Sequence, residues 1–148
     1  MMKKVLVVDD DADVRKLVSK LVERAGYEAL VAKNGVEGMG KARENTPDLI
    51  ILDILMPKQS GIRMYRELKT DELFKDIPVI VLSAIAPKSF FRSQAVLDEF
   101  RGQSVPPPEA YMEKPEEPEE LVELPIGRLP AASSTAWVRH KGGIRRKA

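Results

Sequence analysis

Val5-Leu6-Val7-Val8-Asp9-Asp10 is a short apolar run, rich in β-branched residues, that stops on a pair of acids. A run of this kind, bounded by polar residues, reads as a strand buried on both faces of a parallel sheet. Moving outward, the same pattern returns three times. Leu49-Ile50-Ile51-Leu52 ends on Asp53, Val79-Ile80-Val81-Leu82 ends on Ser83, and the weaker Ala110-Tyr111-Met112 leads to Lys114. Between the runs, apolar residues recur at helical spacing, as in Val14, Leu17, Val18, Leu21, Val22 and Ala25 before Gly26. Helices are also expected over Val36 to Glu44, over Ile62 to Lys69 and from Pro87 onward. Tyr27 to Ala32 supplies a further strand, and Asn34-Gly35 a turn. Strand and helix alternate five times, which gives an α/β doubly wound parallel sheet of five strands.

In such a sheet, ligands bind beyond the carboxyl ends of the strands, near the point where strand order reverses. With strand order 2-1-3-4-5, that point lies between the first and third strands, which end on Asp9, Asp10 and Asp53. Carboxylates gathered there repel one another unless a cation sits among them. The hydroxyl of Ser83 and the ammonium of Lys114 suggest an anion as well. The pattern points to a metal-assisted phosphoryl site.

Taken singly, each of these residues has an ordinary explanation. Asp9-Asp10-Asp11 suits a solvated turn and helix cap. Asp53 and Ser83 suit turns after strands, and Lys114 before a proline suits the surface. Their coincidence at strand ends favours a site. A calcium loop beginning at Asp9 fails, because Val14 stands where glycine is needed and Lys20 where the bidentate glutamate belongs.

The ordered set Asp9-Asp10, Asp53-Ile-Leu-Met-Pro57, Ser83-Ala84 and Lys114-Pro115 resembles the receiver domain of two-component response regulators, over about residues 3 to 124. The resemblance implies a flavodoxin-like fold of the chemotaxis-regulator type. It implies that Asp53 is the phosphoacceptor for a histidine kinase or phosphotransfer protein. It places Mg²⁺ on Asp9, Asp10, Asp53 and the backbone carbonyl of Leu55. Ser83 and Lys114 would act on the phosphoryl oxygens, and Ser83 and Tyr111 would form a conformational switch. The outcome would be a phosphoacceptor switch acting on a downstream protein. It would not be an enzyme with a separate substrate, although it could catalyse its own phosphorylation and slow dephosphorylation.

The sequence departs from the family between Ser83 and Lys114, where the chain looks longer. There, Gln103-Ser104-Val105 and Pro106 to Pro108 make an atypical connection from the fourth helix to the fifth strand. Glu116 to Glu120 begin a last helix that Pro125 limits to about two turns. These changes fall on the face that receivers commonly use, so partner identity and dimer geometry do not carry over, and a homodimer stays open. The alternative reading is a haloacid dehalogenase-type phosphatase with a strand-end Asp nucleophile. It leaves Asp53 unexplained.

The chain of 148 residues carries 24 basic and 23 acidic residues, no cysteine and no run able to span a membrane. A cytoplasmic protein without membrane contact is expected. Beyond Gly127 every charged residue is basic: Arg128, Arg139, Lys141, Arg145, Arg146 and Lys147. The expected organisation is therefore an acidic receiver over 1–127 and a basic, disordered tail over 128–148. Weak contact of that tail with nucleic acid is conceivable, but a solvated tail is the simpler reading, and nucleic acid is not an expected partner.

Overall fold

The computed structural model describes residues 2–127, 137–140 and 143–146. Its elements run β1 (Lys4–Val8), α1 (Ala12–Arg24), β2 (Glu28–Ala32), α2 (Gly35–Asn45), β3 (Leu49–Leu52), α3 (Ser60–Thr70), β4 (Val79–Ser83), α4 (Pro87–Arg101) and β5 (Ala110–Glu113). Two further strands follow, β6 (Trp137–His140) and β7 (Gly143–Arg146). Strands β1 to β5 pair in parallel in the order β2-β1-β3-β4-β5, as the alternation of elements predicts.

Alternating side chains divide the apolar residues into two cores. Leu6, Val8, Ile50, Leu52, Val79 and Val81 face Met39 of α2 and Met64 and Leu68 of α3. Val5, Val7, Ile51, Ile80 and Leu82 face Val14, Val18, Leu21 and Val22 of α1. Both faces of the sheet are therefore covered, which explains why these strands read as unbroken apolar runs.

Local signals account for the helix ends. Asp11 caps α1, its carboxylate accepting from the backbone N–H groups of Asp13 (2.9 Å) and Val14 (3.3 Å). Asn34, expected only as part of a turn, caps α2 by accepting from Glu37 N–H at 2.8 Å. Gly26, with φ of 93°, follows the end of α1 in the left-handed region that only glycine occupies freely.

Two expectations need correction. The last helix does not form. Pro118–Glu120 makes one 3-10 turn, and Leu121 and Leu124 then pack into the α1-side core as extended chain. Acids at a helix start and two flanking prolines favour a first turn, but Pro125 and the burial of these leucines outweigh its continuation. The second correction concerns the disordered tail. Within that stretch, β6 pairs in parallel with β5, and β7 pairs antiparallel with β6, so among the described residues the sheet has seven strands. Edge pairing uses backbone groups and needs no apolar period, which is why the sequence pattern missed it. The rest of residues 128–148 lies outside the described residues.

The connection from α4 to β5 is held by buried charges. Arg66, on α3, donates to Gln94 and Asp98 of α4, both at 2.9 Å, and to the carbonyl of Gln103 at 3.2 Å. One turn further along, Lys69 pairs with Glu109 at 2.7 Å, and the Glu109 carboxylate also accepts from Val79 N–H at 2.7 Å. Nothing in the local sequence signals these partners.

Candidate functional site

The register brings three strand ends side by side. Val8 pairs with Leu52 and Ser83 with Glu113, so Asp9, Asp53 and Lys114 each lie one residue past a matched pair. Backbone bonds continue the ladder through them. Asp53 N–H donates to Val8 C=O at 2.9 Å, and Lys114 N–H donates to Ser83 C=O at 2.8 Å. The position of each functional group is thus fixed by sheet geometry.

Asp9 and Asp53 are buried, while Asp10 is exposed at the mouth. One carboxylate oxygen from each lies within 4.8 Å of the others, the spacing of a cation site. Lys114 bridges the two buried acids, its Nζ 2.8 Å from Asp9 Oδ2 and 3.0 Å from Asp53 Oδ2. The remaining oxygens are held by backbone donors: Asp9 Oδ1 accepts from Asp11 N–H and Asp53 Oδ1 from Leu55 N–H, both at 2.9 Å. Asp9, Asp10, Asp53 and Lys114 therefore meet in one place, and Ser83 is joined to Lys114 through the backbone.

Burial pushes the Asp9 carboxyl above the ordinary aspartate value, although Lys114 and the Asp11 N–H pull against it. For Lys114, burial would lower the pKa, but the hydrogen bond to Asp9 and the charges of Asp53 and Asp9 together outweigh it and hold the ammonium above the usual lysine value. Lys114 is thus secured as a cation between two acids.

Ser83 is fully buried, and its hydroxyl accepts from Ile85 N–H at a long 3.4 Å. Tyr111 is also fully buried, points inward and donates from its hydroxyl to the carbonyl of Ile85 at 2.5 Å. Ile85 therefore carries one contact from Ser83 and another from Tyr111. The Tyr111 ring packs against Phe90 and Phe91, with centroids 5.2 Å and 6.0 Å away. Burial pushes its hydroxyl well above the ordinary tyrosine value, so it stays a donor.

Two residues that sequence reasoning missed shape this site. Arg15, in the first turns of α1, donates to the Asp9 carbonyl at 2.8 Å. Gly61 lies so close beneath the Asp53 segment that a Cβ there would stand 2.3 Å from the Asp53 carbonyl oxygen. A glycine at the start of an otherwise apolar-patterned helix was the available signal.

A doubly wound sheet with acids, a hydroxyl and a lysine at adjoining strand ends is the arrangement expected of a receiver domain, and the comparisons identify the family. The family model for the response regulator receiver domain matches residues 5–124. The chain belongs to that family. It is 38% identical over 120 residues to the phosphate regulon transcriptional regulatory protein PhoB of Pseudomonas aeruginosa, covering 81% of this chain but 48% of that protein. It is 42% identical over 88 residues to the polar-differentiation response regulator DivK of Brucella anthropi, covering 60% of this chain and 72% of the relative. The chain thus spans about half the length of PhoB. Among solved structures, the chemotaxis protein CheY4 of Vibrio cholerae superimposes with a TM-score of 0.63 at 31% identity, covering 82% of this chain and 93% of the other. The phosphorylated cyanobacterial phytochrome response regulator RcpA gives 0.63 at 25% identity, with 82% and 86% covered. The phosphatase alternative gains no support. Asp53, which it left unexplained, stands beside Asp9 inside the matched region.

Proposed function

We propose that residues 1–127 form a receiver whose Asp53 accepts a phosphoryl group from a histidine kinase or phosphotransfer protein, with Mg²⁺ bound by Asp9, Asp10, Asp53 and the backbone carbonyl of Leu55. The observation that carries this reading is the set of three carboxylates within 4.8 Å with Lys114 bridging two of them. Three carboxylate oxygens that close would supply the hard oxygen ligands Mg²⁺ prefers, and exposed Asp10 leaves the site open to water. Bound there, Mg²⁺ would offset negative charge on the transferred oxygens.

The protein's own groups supply the rest. A carboxylate oxygen of Asp53 attacks phosphorus, the P–N bond of the donor breaks, and the leaving imidazole nitrogen keeps the electron pair and takes a proton. Lys114 moves from carboxylate to phosphoryl oxygen as a mobile point charge. Ser83 gives up its long contact with Ile85 N–H and donates to another phosphoryl oxygen. Because Tyr111 holds the carbonyl of Ile85, that turn reaches the aromatic cluster on α4 and alters the surface a downstream protein reads. No separate substrate is turned over. We place this switch in the cytoplasm with its donor; among the described residues, no helix is long and apolar enough to cross a membrane.

The deciding experiment is incubation with Mg²⁺ and acetyl phosphate, followed by peptide mapping of the modified residue. Label on Asp53 that disappears when EDTA removes the metal is the expected result. Label on another residue, or label indifferent to EDTA, would refute the assignment.

Beryllofluoride with Mg²⁺, a stand-in for the phosphoryl group, should raise the melting midpoint. At 100 times its dissociation constant a ligand of the native state adds about 2.7 kcal/mol. Lys114→Ala should shrink the shift. An unchanged midpoint at saturation in the wild type would show that the site does not take the ion.

The lifetime of the phosphorylated state follows from two apolar neighbours. Leu55 is 55% exposed beside Asp53, and Ile85 packs partly against the core two residues past Ser83. Neither side chain can hydrogen-bond a water approaching behind the phosphorus, so loss of the group should be slow. Leu55→Asn with Ile85→Glu is expected to speed dephosphorylation several-fold, with each tenfold corresponding to about 1.36 kcal/mol of barrier. Equal decay rates for wild type and the double variant would remove these side chains from control of the water.

A further inference from the structure

A cleft of about 890 Å³ opens between α2 and α3, next to the carboxylate site but distinct from it. Only Asp10 belongs to both. The cleft is within the size range of small-molecule pockets. Its apolar lining comes from Val36 and Met39 of α2, Pro57 of the loop after β3, and Met64 of α3.

The charges around it are unbalanced. Of the acids that line the cleft, Glu37 pairs with Lys41, Glu67 pairs with Arg43, and Asp10 belongs to the carboxylate trio. Of the cations, only Arg43 is engaged in this way. Lys33, Lys58 and Arg63 line the same cleft, and among the described residues none of their side chains has a hydrogen-bond or ion-pair partner. The N-terminal ends of α2 and α3 both border it, at Gly35 and Ser60, and α3 has no acid in its first turn to neutralise its positive end. These ends are in close contact, since a Cβ on Gly35 would lie 2.4 Å from the Ser60 carbonyl oxygen. Lys58 also has a φ of 59°, a left-handed conformation uncommon outside glycine. Backbone strain of this kind often marks a functional position.

We infer that the α2–α3 cleft is a binding site for a small organic anion with an apolar body, its acid group held by Lys58, Arg63 and Lys33 and its body lying on Val36, Met39 and Met64. The apolar floor recognises the body, and the free cations select for the charge. None of these residues takes part in phosphoryl transfer, so the site stands apart from Asp53.

The test uses anilinonaphthalene sulfonate (ANS) on the full chain, beside the uncharged phenyl-naphthylamine that lacks the sulfonate. The expected result is saturable ANS fluorescence, with the neutral probe about tenfold weaker or more. Lys58→Glu with Arg63→Glu should weaken ANS by a similar factor. The circular dichroism spectrum and acetyl phosphate labelling of that variant should match the wild type, which separates lost binding from lost folding. Asp53→Asn should bind ANS as the wild type does. Equal affinity for the neutral probe, or undiminished ANS binding by the folded charge-reversal variant, overturns the proposal. Loss of ANS binding in Asp53→Asn also overturns it, by moving the dye to the carboxylate site. Absence of saturable ANS binding in the wild type does the same.

Discussion

Asp53→Asn is expected to abolish phosphoryl uptake from acetyl phosphate while leaving the domain folded. An amide oxygen can still accept from Leu55 N–H, the 2.9 Å contact that orients the wild-type side chain. Lys114 keeps its 2.8 Å partner in Asp9. What disappears is the anionic oxygen that would attack phosphorus, along with one member of the carboxylate trio. Removing one of several crowded like charges costs the fold little, since the group lost is a source of repulsion as well as attraction. Intact mass before and after incubation with donor and Mg²⁺ gives the labelling, and a urea titration gives the stability. Undiminished labelling of the folded variant would put the nucleophile elsewhere.

Lys69→Met should cost about 3–5 kcal/mol, the usual effect of stranding one partner of a buried ion pair. The two side chains are only 1% and 4% exposed, so the Glu109 carboxylate left behind has little access to water. It would retain the Val79 N–H, which cannot balance a full charge. A loss of that size is a large share of a typical domain's 5–15 kcal/mol (roughly). The double variant Lys69→Met with Glu109→Gln should recover most of it, because the glutamine carbonyl still accepts from Val79 and no charge remains. Urea midpoints for wild type, single and double variants measure the coupling. If the single variant loses under about 1 kcal/mol, the carboxylate is being rehydrated and the pair does not anchor this corner.

The contrast between these two cases shows what the sequence could reveal. Asp9, Asp53, Ser83 and Lys114 were legible because each follows directly on a strand, and a parallel sheet aligns the strand ends. Four local patterns therefore sufficed to place them together. Asp11 and Gly26 were legible for a similar reason, since caps and stops act within one helical turn. Lys69 and Glu109 are separated by 40 residues, and neither has a local pattern that betrays burial. The same holds for Arg66 with Asp98 and for the pairing of Tyr111 with Val138 across β5 and β6. The cleft was illegible because its basic residues come from a strand end, a loop and a helix. Its two helices also meet at Gly35 and Ser60, an approach that no local pattern signals.

Arg66 has a mechanical consequence. Its guanidinium fastens α4 at Gln94 and Asp98, and Asp98 in turn accepts from Val105 N–H at 3.2 Å. The opposite end of α4 begins at Pro87 with no side-chain cap, close behind the Ser83–Ile85 segment. Polar contacts thus hold the C-terminal half of α4, whereas its N-terminal half is held by aromatic packing of Phe90 against Tyr65 and Tyr111. If the proposed switch moves Ser83, the half of α4 nearest Pro87 would be the part displaced, while the half that Arg66 holds would stay in place.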